Sequence, residues 1–206
     1  MNGLQEDEME LADLRFLYDL STYNCQHYGT YTSLIYEDTQ QDLVREYTNV
    51  EIARESTLLA AGLRSLGIEK GDRVIVMMLN CPEVLISYQA IARVGAVIIP
   101  VLPLLKAPEI HYIAQNSSAK VIITSQVLLP LLQAALAGVS TVQYVISVGD
   151  GEGQGERAGR DESLPYDVLA YADVVAKGAA HAEGTPLKAL DRRRRRREDR
   201  HSYTPY

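Results

Sequence analysis

The sequence predicts an α/β fold: an incomplete doubly wound, mainly parallel sheet flanked by helices. Three observations carry that prediction. The run "RVIVMML" is apolar and rich in β-branched residues with little alternation, as in a strand covered on both faces. The thirty residues 71–100, "GDRVIVMMLNCPEVLISYQAIARVGAVIIP", read strand, helix, strand, which is a βαβ unit with a right-handed crossover. That alternation then repeats down the chain.

Leu11, Leu14, Leu17 and Tyr18 recur at helical spacing after an acidic start, so residues 9 to about 28 are expected to be an amphipathic helix closed near Gly29. A short strand, "TSLIYE", follows. Thr48 with Glu51 three residues on is a capping-box signature, and Ile52, Leu59, Leu63 and Leu66 form an apolar stripe ending at Gly67. Gly71 and Asp72 turn the chain into the first buried strand. Pro82 suits a first helical turn, so Asn80 or Cys81 should cap a helix running to Arg93, with Gly95 as its left-handed exit. The strand "AVIIPV" comes next, then a helix from Pro108 through Ala114, the strand "KVIIT", a helix over 126–137 and the strand "TVQYVISV". After Val148 the composition shifts to a Gly-rich acidic loop, with a helix expected from Pro165 to Ala176 and no periodicity beyond Gly178. The division predicted is a partial domain over 1–177 and an irregular, arginine-rich tail over 178–206.

The chain has 206 residues, 47% of them hydrophobic and 23% charged, a globular composition that can bury a core. The net charge of −7 hides an asymmetry. Residues 192–206 hold seven Arg against Glu198 and Asp199, or +5, which leaves −12 for residues 1–191. An acidic body argues against a nucleic-acid partner, except weakly through Arg192 to Arg197. That run reads as a segment for nucleic acid or an anionic membrane surface, a disordered self-repelling tail, or an aberrant end in which repeated Asp codons are translated in a shifted frame. No apolar run approaches the length of a membrane span, and the acidic N-terminus is unlike a secretory signal. Two well-separated cysteines, Cys25 and Cys81, signal neither a disulfide framework nor a zinc site, so a reducing cytoplasm fits.

Candidate chemistry is sparse. Gly153, Gly155 and Ala158 fit the spacing of a pyrophosphate cradle, but Asp150, Glu152 and Glu156 would repel the phosphates, and a surface loop is the better reading. Cys81 at a helix start is either a dipole-activated thiolate or, preferably, a capping or buried thiol, since no His or second Cys is near in sequence. Of His27, His111, His181 and His201, only His111 sits in a patterned element, on a helix surface or beside Tyr112. Glu6, Asp7 and Glu8 read as solvated charge. No catalytic, cofactor-binding or metal-binding residue emerges, and no cofactor is expected for this chain.

Residues 47–124 nevertheless hold an ordered set of signatures. These are Tyr47-Thr48 opening a helix, Gly67-Ile68 with Lys70-Gly71-Asp72-Arg73-Val74, Asn80 with Pro82-Glu83, Gly95-Ala96-Val97 with Pro100, and Glu109 with Tyr112-Ile113. In that order they resemble the N-terminal region of the adenylate-forming ligases, the AMP-binding acyl-CoA synthetase family, with looser similarity from about 11 to about 190. The resemblance implies a fatty or aryl acid–CoA ligase using ATP, Mg2+ and coenzyme A through an acyl-adenylate. The family's phosphate loop, Thr-Ser-Gly-Thr-Thr-Gly-x-Pro-Lys, would be expected where this chain reads "RRRRRREDRHSYTPY", with only Tyr203-Thr204 echoing it. The leading expectation is a truncated ligase, inactive alone, that self-associates through exposed sheet edges. A non-catalytic interaction module using the acidic body or arginine tail, and a small nucleotide-binding regulator using residues 149–158, are the alternatives.

Overall fold

The computed structural model describes residues 17–39, 41–149 and 164–183. The Gly-rich stretch at 150–163, Glu6 to Glu8, His201 and the arginine run lie outside the described residues.

Helix α1, Leu17–His27, is the described part of the first expected helix and ends before Gly29, whose φ of 67° is the left-handed exit. Strand β1, Thr32–Asp38, pairs antiparallel with β2, Leu43–Thr48, so Leu34 faces Tyr47 and Tyr36 faces Arg45. Strand β2 is not evident in the sequence: "LVREYT" is exposed over Leu43 to Glu46 and half-buried only at Tyr47 and Thr48, so it carries no buried apolar pattern. Helix α2, Asn49–Ser65, starts at the Thr48 capping box. The Glu51 amide donates to the Thr48 hydroxyl at 3.2 Å, and the Thr48 amide donates to the Glu51 carboxylate at 2.7 Å.

The core is a five-stranded parallel sheet of order β4-β3-β5-β6-β7. Its strands are β3 Arg73–Met77, β4 Val97–Pro100, β5 Val121–Ser125, β6 Tyr144–Val148 and β7 Asp167–Ala170. Between them lie α3 Pro82–Val94, α4 Ala107–Ser117, a 3-10 turn at Gln126–Leu128 leading into α5 Leu129–Ala135, and finally α6 Tyr171–Glu183. Alternate residues of one strand face opposite layers. Val74 and Val76 pack under α2, α3 and α6 with Leu59, Ile91 and Val174, whereas Ile75 and Met77 pack under α4 and α5 with Ile110 and Leu132. Helices on both faces, with strand order reversing between β3 and β5, make the sheet doubly wound.

Two corrections concern the last elements. The helix expected over 165–176 begins only at Tyr171, because Asp167–Ala170 adds a fifth strand alongside β6. The helix then runs through Glu183, across the boundary drawn at 177 and 178. Gly178 reads as a helix stop by propensity. Here it is a contact surface instead: a Cβ there would run into the Leu58 carbonyl oxygen, and one at Gly62 would run into the carbonyl of Val174. Those two glycines let α2 and α6 pack backbone to backbone.

A candidate site at the carboxyl ends of the strands

The strand order reverses between β3 and β5, and in such sheets ligands sit beyond the carboxyl ends of the strands at that point. A cleft of about 1190 Å3 opens there. Its floor is Leu79 to Val84 after β3, Ser125 and Val127 after β5, and Val148 and Gly149 after β6; the β1–β2 hairpin overhangs it with Leu34, Tyr36, Leu43, Arg45 and Tyr47.

Leu34 and Tyr47 pack the hairpin against the core, and Asn49 ties the turn before β1 to the start of α2. Asn49 accepts from the Tyr31 amide at 3.0 Å through Oδ1 and donates through Nδ2 to the Gly29 carbonyl at 2.8 Å, while its own amide donates to the Tyr31 carbonyl at 3.0 Å. Arg45 lies 4.6 Å from the centre of the Tyr47 ring. On the floor, the polar side chains bind strand to strand. The Ser125 hydroxyl accepts from the Leu79 amide at 3.0 Å, and the buried Thr124 hydroxyl donates to the Met77 carbonyl at 2.8 Å. Both hydroxyls therefore lock β3 to β5.

The candidates from the sequence are scattered. Cys81 is the N-cap of α3 but makes no capping bond with its side chain. Burial first, and then the neighbouring Glu83 carboxylate, pushes its thiol up to about 12, so at neutral pH it is a thiol and no nucleophile. His111 donates through Nδ1 to the Ala135 carbonyl at 2.9 Å and ties α4 to the end of α5. His27 stacks on Tyr23 with ring centres 3.9 Å apart, and His181 is exposed on α6. Among the described residues no group of His, Cys, Asp and Glu could hold a metal ion, and no helix is long and apolar enough to cross a membrane.

Sequence reasoning missed Asn49, Ser125, Tyr36 and Arg45. Ser125, Tyr36 and Arg45 come together only because the β1–β2 hairpin folds over the strand ends, and Asn49 lies outside the cleft, where it fixes the turn before β1. Tyr171, the first residue of α6, was also missed; burial, with Glu83 adding to it, drives its phenol far above the usual range.

The family model for AMP-binding enzymes matches residues 22–191. The chain belongs to the AMP-binding enzyme family. It is 32% identical over 167 residues to a crotonobetaine/carnitine–CoA ligase of Salmonella paratyphi A, covering 80% of this chain and 30% of that relative. The ligase of the same description from Salmonella typhimurium matches with the same identity and coverage. Among solved structures, an anthranilate CoA ligase in complex with anthranoyl-AMP superposes with a TM-score of 0.63 at 24% identity, over 82% of this chain and 30% of that one. A Rhodopseudomonas palustris protein described as a long-chain-fatty-acid CoA ligase gives 0.63 at 22% identity, over 78% and 36%. These two likenesses show the shared fold. The chain thus spans about a third of the length of the AMP-dependent acid–CoA ligases that it matches.

Proposed function

We propose that this chain is the sheet-building first part of an AMP-dependent acid–CoA ligase, and that it activates no acid by itself. In the complete relatives, ATP and Mg2+ would turn a carboxylic acid into an acyl-adenylate and coenzyme A would take the acyl group. The observation that supports inactivity is the charge of the cleft. Among the described residues that line it, Arg45 is the one cation, against Glu37, Asp38 and Glu83. A triphosphate entering there meets more like charge than opposite charge, and electrostatic stabilisation of a leaving pyrophosphate needs the reverse.

Pyrophosphate release tests this. The purified chain, given ATP, Mg2+ and carnitine, crotonobetaine, anthranilate or a long-chain fatty acid, should release none above the blank. Residues 1–191 fused to the part of the Salmonella typhimurium ligase that follows its matched segment should release it with at least one acid. Turnover by the chain alone, or a well-folded but inert fusion, overturns the proposal. Titration calorimetry with ATP, AMP and NAD should give no heat, which separates this reading from a nucleotide-binding regulator. Deleting residues 192–206 should leave behaviour unchanged, which separates it from a tail-docking module.

The chain is taken to work in the cytoplasm and to self-associate at high concentration. The β7 edge is the better candidate for that contact. On β4 the amides of Val97 and Val101 point inward to β3, so Pro100 holds an outward position and removes its donor. A concentration-dependent sedimentation coefficient checks the association.

A further inference from the structure

We draw no further inference here: the strongest candidate, the edge of β1 that pairs with no other strand among the described residues and carries the exposed Ile35, is interrupted by a register shift between Thr32 and Leu34, and nothing in the structure shows what covers it.

Discussion

At the amino end of the sheet Lys120 and Asp72 meet at 2.8 Å, whereas at the carboxyl end of the same strands Leu79, Leu104 and Val127 stand in water. The amino end is closed by its own groups. Asp72 also accepts from the Glu69 amide at 2.9 Å, and the Arg73 guanidinium donates to the carbonyls of Ser117 and Ser118 at 2.8 Å each, satisfying the end of α4. The Lys120 amide donates to the Arg73 carbonyl and the Gln143 amide to the Lys120 carbonyl, so backbone bonds lace β3, β5 and β6 together there. At the other end Thr124 and Ser125 are engaged between β3 and β5, while the cleft keeps Arg45, Glu37, Asp38 and Glu83, and Leu79, Leu104 and Val127 are exposed beyond the strand ends. The difference teaches that one end of this sheet is closed by its own charged and polar groups while the other keeps exposed apolar side chains beside a cleft.

Removing the charge at the finished end should have the largest effect. Asp72→Ala should cost about 3 kcal/mol in denaturant unfolding, since it loses a charged pair and orphans the Glu69 amide, with the one-third exposed Lys120 limiting the loss. The same group gives a pH dependence. Burial acts to raise the Asp72 carboxyl, but the hydrogen bonds from Lys120 and the Glu69 amide outweigh it and hold the carboxyl below its ordinary value. Its contribution is therefore complete above a pH of about 4 and is lost as the pH falls through the lower folded value. Acid should destabilise the native chain in that window more than it destabilises Asp72→Asn.

Asn49→Ala should come next, at about 2 kcal/mol, because the Tyr31 amide and the Gly29 carbonyl lose their partner. Hydrogen exchange should show the hairpin amides of residues 32–48 opening before those of the sheet. Thr48→Ala removes the hydroxyl that accepts from the Glu51 amide, and a cost of about 1 kcal/mol is expected in thermal scans. Leu104→Ser on the open rim should be the smallest change, within about 0.5 kcal/mol. A loss of 2 kcal/mol or more there would mean that the rim is already covered in the isolated chain, and the contrast between the ends would fail.

Much of this was legible in the residues. The βαβ unit over 71–100 and the capping box at Thr48 were read correctly because each is written in local spacing: β-branched runs for buried strands, a threonine and a glutamate three apart for a helix start, a glycine for its exit. Strand β2 was not, since a ribbon exposed on most of its length carries no burial pattern. Strand β7 was not, since four residues beside a helix start look like the helix. Gly178 misled for a further reason: propensity sees a poor helix former, and only the approach of α2 shows why a side chain there is excluded. Of the candidate site, the individual residues Asn80, Cys81 and Pro82 were singled out as helix-capping elements, but their meeting with Ser125 and the hairpin depends on strand order.

Sequence by itself determined the alternation of strands and helices, the acidic body, and the family signatures between Tyr47 and Ile113, because hydrophobic period and capping chemistry act over a few residues. Tertiary structure alone decided that β3 stands between β4 and β5, that Leu79 to Val84, Ser125 and the hairpin line one cleft, and that Cys81 is a half-buried thiol. Those facts depend on which distant segments pack together, and burial, charge proximity and sheet pairing exist only once the chain has closed on itself.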